Sequence, residues 1–346
     1  MDDATTDHQP NPAHPAGRRR RGRLLLVVVL AALLSVVLVV AGVAWWAVRD
    51  VSNSIERIPD AFDIPDEARP AEPENGSLDI LLAGLDSEDT AESFEPGEAR
   101  TDAVMILHIN EARDEAYLIS IPRDTWVPIP GHGEDKINAA YSFGGAALYV
   151  QTVEELTGLR IDHLAVIDWS GFRRLTDALG GVELTFDEAV VAADGTTYES
   201  GTHTLTGEQA LQYVRERKGL PAGDFDRVKR QQNYLRAILR QLTDSGVGSD
   251  PSRLVRIADA VGAAAKVDDE LSATALVRLG LSLRDVGADD FTSLTVPTDG
   301  TGWAGEASIV VYDRENAEKL WEAVRSDDVA SFVADHPDLV TGASVH

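Results

Sequence analysis

Between Thr206 and Tyr234 the chain reads TGEQALQYVRERKGLPAGDFDRVKRQQNY, which places Arg215, Arg217, Lys218, Arg227, Lys229 and Arg230 within sixteen positions of an otherwise acidic protein. Arginine binds phosphate oxygens bidentately through a planar fork and keeps its charge at any physiological pH. Taken singly, each would read as a surface charge paired with a nearby carboxylate. Further charges stand at the ends of apolar runs: Asp86 in GLDS, Arg100 and Asp102 in RTD, Arg123 and Asp124 in SIPRDT, and Lys136 in DKIN. Asp86 and Asp102 are hard oxygen donors suited to one Mg²⁺ or Mn²⁺ whose remaining shell is water and phosphate. The set points to phosphate or pyrophosphate chemistry.

Other chemistries are poorly served. Cysteine is absent, which excludes thiol catalysis, disulfides and Cys-ligated metal, and the eight histidines form no HExxH pair. There is no GxxxxGK[ST] loop, and Ser87 lies outside any GxSxG elbow. The net charge is −27; the first 49 residues carry six arginines against three aspartates, so Asp50 onward holds 25 basic and 55 acidic residues, a balance of −30. So negative a body repels nucleic acid, and none is expected as a partner.

The elements that must position these groups follow from periodicity. Thr206 and Gln209 make a capping box, so a helix starts there and carries Arg215 and Arg217 at its end. A turn at Gly219, Pro221 and Gly223 precedes a second helix capped by Asp224 or Asp226. In that helix Arg227 and Gln231 share a face, with Val228, Leu235, Leu239 and Leu242 as the apolar stripe opposite. Strands are expected at 78–85, 103–109, 116–121, 164–167, 182–186, 294–296 and 309–312, most of them continuous apolar runs of the kind buried on both faces. Helical patterns at 145–157, 170–179, 205–217, 227–242 and 314–323, with a weaker set between 252 and 283, complete the pattern of a single α/β domain, an α/β/α sandwich around a central mixed sheet.

Upstream, residues 1–23 read as a polar tail ending in the basic flank RRRRGR. Leu24 to Val48 is an uncharged apolar run of 25 residues, about 37 Å as a helix and enough to cross a hydrocarbon core of about 30 Å. The basic flank predicts a single-pass anchor in the cytoplasmic membrane with its N-terminus inside and the domain outside, Trp45 and Trp46 sitting at the far interface. A signal peptide cleaved near Gly42-Val43-Ala44 is the alternative, and it exports the domain equally. Residues 49–77, acidic and punctuated by Pro59, Pro65, Pro70 and Pro73, read as a spacer, residues 78–326 as the catalytic domain and 327–346 as a C-terminal tail.

GLDS, RTD, SIPRDT with DKINAAYSFGG, a helix ending YVRERK and DFDRVKRQQ occur in the order in which they resemble the LytR-CpsA-Psr family of bacterial cell-wall glycopolymer ligases. The resemblance spans roughly residues 78–326 and implies a domain that binds a polyprenyl-pyrophosphate-linked glycan with its prenyl tail in an apolar tunnel. It further implies transfer of the glycan phosphate to a peptidoglycan hydroxyl, that of N-acetylmuramic acid, with release of polyprenyl phosphate. On this resemblance Asp86 and Asp102 hold Mg²⁺, while Arg100, Arg123, Arg215, Arg217 and Arg227 grip pyrophosphate oxygens. Gln231 and Lys136 are added polar contacts, and Asp224 orients the arginines. The chain departs from the family pattern at Ala103, where Ser or Thr is frequent, and at Asp226, where Gly is frequent. A polyprenyl-phosphate-binding regulator without turnover and a polyprenyl-pyrophosphate phosphatase are the alternative functions.

Overall fold

The computed structural model describes residues 56–87, 100–216, 220–244, 260–283, 286–287 and 289–342, all within one compact unit. The expected anchor, Arg217 and the loop between Ser87 and Arg100 lie outside the described residues. Among the described residues no helix is long and apolar enough to cross a membrane.

The first correction concerns the spacer, part of which belongs to the domain. Arg57–Ile58 forms a short strand, β1, and Ile58, Ala61 and Ile64 are buried in the main core. Arg69 forks onto the fully buried Glu154 (Nη2 to Oε1 2.7 Å) and donates to the carbonyl of Ile161. Pro59 lies in the turn after β1 and Pro65 caps the short 3-10 turn at Asp66–Ala68, so a composition typical of a spacer covers part of a core. The C-terminal residues pack too. Val329–Asp335 is a helix burying Val329 and Phe332, and the Thr341 amide donates to the carbonyl of Ser293 (2.8 Å).

The strands β2 (Leu78–Leu85), β3 (Thr101–Ile109), β4 (Ala116–Ile121), β7 (His163–Ile167), β12 (Ala265–Asp268) and β13 (Phe291–Thr295) join β1 in a seven-stranded sheet of order β1-β12-β7-β2-β3-β4-β13. Pairing is parallel for β1/β12, β7/β2 and β4/β13 and antiparallel elsewhere, which makes the sheet mixed, as expected. Between β4 and β7 lie a hairpin of β5 (Trp126–Ile129) and β6 (Gly133–Lys136) and the helix α1 (Ala139–Thr157), whose helical geometry breaks at Gly144 and Gly145. After β7 come α2 (Trp169–Ala178), a ribbon of β8 (Val182–Phe186) with β11 (Gly201–Leu205), a second of β9 (Val190–Val191) with β10 (Thr197–Tyr198), then α3 (Gly207–Arg215) and α4 (Asp224–Asp244). α5 (Ala273–Ser282) precedes β13; a ribbon of β14 (Thr298–Ala304) with β15 (Ala307–Tyr312), α6 (Arg314–Arg325) and α7 (Val329–Asp335) close the chain.

Alternation along β2 assigns the two faces, because successive side chains point to opposite sides of a sheet. Leu81, Ala83 and Leu85 pack with Tyr149 and Val153 of α1 and with Leu320 and Trp321 of α6. Ile80, with Met105 and Leu118, meets Leu235 and Leu239 of α4 and Leu279 of α5. Both faces are therefore apolar, which explains the continuous apolar runs. β8 and β15 were expected as strands and are, but they lie in two-stranded ribbons outside the central sheet.

A buried polar lock ties β3 to the C-terminal end. The His108 ring meets Asp79 (Nδ1 to Oδ1, 2.8 Å) and Asp327 (Nε2 to Oδ1, 3.1 Å). Burial disfavours the imidazolium, yet the hydrogen bonds and charges of Asp79 and then Asp327 outweigh it and raise the pKa above 6.5. A raised folded-state pKa contributes stability that is full below the unfolded value near 6.5 and is lost as pH rises through the folded value. Replacing His108→Gln is expected to cost most near pH 5.5, with the deficit narrowing by pH 9. Urea denaturation of both proteins at the two pH values checks it, and an equal deficit at both contradicts the assignment.

Candidate active site

β2, β4 and β7 run in the same direction, since β2 pairs parallel with β7 and both β2 and β4 pair antiparallel with β3. Asp86, Arg123 and Asp168 therefore follow strand ends at one sheet edge, where β3 begins with Thr101 and Asp102. Open α/β sheets build ligand sites at such an edge because the loops there diverge. The β2/β3 register is irregular between Gly84 and Leu85, which pair with Ala103 and Thr101, so Asp102 occupies the extra position. A bulge re-aims the side chain it carries. Across it the Asp86 amide donates to the carbonyl of Arg100 (3.0 Å).

The capping box is formed as read: the Thr206 hydroxyl accepts from the Gln209 amide, and Gln209 Oε1 accepts from the Thr206 amide. α3 ends at Arg215, whose guanidinium lies 3.0 Å from the centroid of the Trp169 ring. α4 begins at Asp224, and its first turns face the sheet edge. Arg227, 1% exposed, places Nη2 2.6 Å from Asp224 Oδ1 and Nη1 3.6 Å from Asp102 Oδ1. Arg123 donates to the same Asp102 oxygen, and its Nε stands 3.9 Å from carboxylate oxygens of Asp124 and Asp224. Lys136 Nζ reaches Asp124 at 3.1 Å. A guanidinium this deeply buried is tolerable only with paired charge, and Asp102 and Asp224 supply it.

Beneath this cluster lies an apolar cavity of about 280 Å³ bounded by β2, β3, β7, α2, α3 and α4. Leu82, Met105, Phe172, Leu211 and Leu235 wall it, while Asp102, Arg215, Arg227 and Gln231 stand at its polar end. Leu235 is a correction: it lines the same cavity as Arg227 and Gln231, because positions 227, 231 and 235 are spaced by four and share a helix face. Gln231 Oε1, in the cavity lining, is buried with no hydrogen-bond partner among the described residues, and in the adjoining charge cluster Arg123 Nε is a buried donor with no hydrogen bond.

Of the residues singled out, Asp102, Arg123, Arg227 and Asp224 form one charge cluster, Lys136 joins it through Asp124, and Gln231 and Arg215 line the cavity. Asp86 and Arg100 are exposed beside it, bonded through their backbones. The reading missed Asp168 and Trp169. Asp168 is buried, caps α2 by accepting from the Gly171 amide (2.6 Å), and lines the cavity with Trp169. An aspartate directly after an apolar strand was the available signal. Asp226, where the chain departs from the family pattern, accepts from the Ala222 amide (2.8 Å) and pairs with Lys229.

The chain is 31% identical over 280 residues to the cell wall biosynthesis protein LcpA of Corynebacterium glutamicum, covering 68% of this chain and 54% of the relative. It is 38% identical over 194 residues to TagU of Halalkalibacterium halodurans, a polyisoprenyl-teichoic acid–peptidoglycan teichoic acid transferase, covering 56% of this chain and 61% of that protein. It spans about half to three-fifths of the length of these curated relatives. Among solved structures, TagT bound to LI-WTA superposes with a TM-score of 0.59 at 26% identity, over 74% of this chain and 92% of that one. The LytR_cpsA_psr family model matches residues 51–326, and the chain belongs to that family.

Proposed function

We propose that this protein is a membrane-anchored phosphotransferase that moves a glycopolymer phosphate from a polyprenyl-pyrophosphate carrier to a peptidoglycan hydroxyl, with N-acetylmuramic acid the acceptor sugar. The observation that carries the reading is an apolar cavity closed at one end by Asp102, Arg215, Arg227 and Gln231. A prenyl chain suits the apolar walls, and its pyrophosphate suits the end where the Arg215 and Arg227 guanidinium groups stand. TagU's name describes this type of transfer, and TagT is bound to LI-WTA in its structure.

In the proposed reaction the acceptor hydroxyl oxygen attacks the sugar-linked phosphorus, and the bridging P–O bond to polyprenyl phosphate breaks. The hydroxyl proton passes to an active-site aspartate carboxylate acting as general base. Arg123 and Arg227 stabilise charge on the transferring and leaving oxygens, which is the main task in phosphoryl transfer. Asp224 holds the Arg227 fork in place (2.6 Å). Two hard carboxylate donors stand at this edge, Asp102 with both arginine contacts at Oδ1 and Asp86 after the adjoining strand end, a donor chemistry suited to a hard divalent cation. Mg²⁺ or Mn²⁺ held by Asp86 and Asp102 would neutralise charge across the two phosphates.

The test is the full chain in detergent with a polyprenyl-pyrophosphate glycan, a peptidoglycan oligomer and Mg²⁺, with EDTA as control. A metal-dependent phosphodiester product together with polyprenyl phosphate is expected. Lipid binding without turnover would instead make the protein a binder, and phosphate release without an acceptor would make it a phosphatase.

A further inference from the structure

Trp303 is 75% exposed, the most exposed of the large apolar side chains among the described residues. A single exposed apolar side chain is ordinary on a protein surface. Position and surroundings set this one apart. It lies on β14, opposite Ser308 of β15, and the neighbouring Thr301–Val310 rung of the ribbon is fastened to the site. There the Val310 amide donates to the carbonyl of Asp124 (2.8 Å), and Val310 bridges Thr125. Asp124 is the residue that joins Lys136 to Arg123. Trp303 stands two residues farther along the ribbon, about 7 Å by strand rise, a reach that a short oligosaccharide spans.

The surroundings narrow the occupant. Asp299, Thr301 and Ser308 are exposed on the same ribbon, and Glu306 sits in its turn. From Thr298 to Tyr312 there are two carboxylates and no lysine or arginine. An anionic lipid surface is repelled by such a ribbon, and isolated apolar area between hydroxyls does not make a protein interface core. An aromatic face carries partial negative charge and large apolar area. It suits the C–H face of an uncharged pyranose whose equatorial hydroxyls meet Thr301 and Ser308. A second aromatic group stands against the neighbouring β5–β6 hairpin: Phe143, 39% exposed, stacks on His132 in its turn with centroids 4.9 Å apart.

We propose that Trp303 is the stacking platform for the acceptor, seating a neutral N-acetylated sugar ring of the glycan beside the Asp124–Lys136 end of the site. This rests on the transfer reading above in naming the acceptor, but its test needs no turnover. The full chain in detergent is titrated with a soluble N-acetylglucosamine tetramer by calorimetry, as wild type, Trp303→Ala and Trp303→Phe. The alanine variant is expected to bind about five- to tenfold more weakly and the phenylalanine variant nearly as well as wild type. In the transfer assay the alanine variant should raise KM for the acceptor and leave KM for the lipid donor unchanged. Equal affinity of wild type and Trp303→Ala, or no binding by wild type, overturns the proposal. So does an effect confined to association with phosphatidylglycerol vesicles. If transfer fails while tetramer binding depends on Trp303, the reaction assignment falls and the sugar platform stands; transfer with an unchanged acceptor KM in the alanine variant reverses that result.

Discussion

Arg227→Ala is expected to lower kcat/KM for glycan transfer by roughly 10³-fold or more, the scale set by removing an arginine that stabilises phosphoryl-transfer charge. Two effects act together. The substitution removes a buried cation at the polar end of the cavity, and it leaves Asp102 and Asp224 facing the pyrophosphate without the charge that Nη1 and Nη2 bring within 3.6 and 2.6 Å. Arg123 and Arg215 would then attract phosphate against two carboxylates that have lost a shared partner. Stripping one partner from a buried pair costs about 3–5 kcal/mol, so melting must be followed beside activity. Arg227→Lys separates the effects. Lysine keeps the charge but not a fork able to reach both carboxylates, so it should retain most of the stability while transfer stays well below wild type. Single-turnover release of polyprenyl phosphate by the three folded proteins checks this, and alanine-variant activity within tenfold of wild type would remove Arg227 from the machinery.

The partners of Arg227 were partly legible in the sequence. Its pairing with Asp224 lies within one helical turn, and its shared face with Gln231 follows from a spacing of four. Local signals of this kind also gave the ends of β2, β4 and β8 and the capping box at Thr206. The contact with Asp102 joins residues 125 positions apart and has no local trace; it became plausible through the ordered motifs. The Arg69–Glu154 pair was hidden for the same reason. One end sat in proline-punctuated chain and the other looked like a solvated helix charge, although Glu154 is completely buried. β14, sequence TDGTGWA, has too little apolar character to read as a strand, because it pairs with one neighbour and exposes alternate residues. The cavity was legible least of all. Its walls come from β2, β3, β7 and three helices, and the apolar residues lining it have the same types as residues that fill the core.

Gly171→Ala should have the largest effect on the fold and reach the site through it. Gly171 sits in the first turn of α2, its amide donating to the Asp168 cap at 2.6 Å. A Cβ there would lie 1.9 Å from the carbonyl oxygen of Ala264, a backbone atom that cannot rotate away as a side chain would. Alanine favours a helix by about 1 kcal/mol over glycine, but relieving this overlap requires α2 to move off the residue before β12. Overpacking of a buried contact costs about 1–3 kcal/mol and more where backbone must shift, so the net change should be a loss of at least about 2 kcal/mol. At roughly 2–4 °C per kcal/mol for a domain of this size, thermal melting should fall by at least about 4 °C. The displaced helix carries Trp169, Phe172 and Leu175, which wall the cavity, and Trp169 seats Arg215. Donor affinity measured well below the melting temperature should therefore weaken as well, although Gly171 does not line the cavity. Unchanged melting would mean that α2 can slide past Ala264 without loss; reduced melting with unchanged donor affinity would mean that the cavity wall holds its shape independently of the α2–β12 contact.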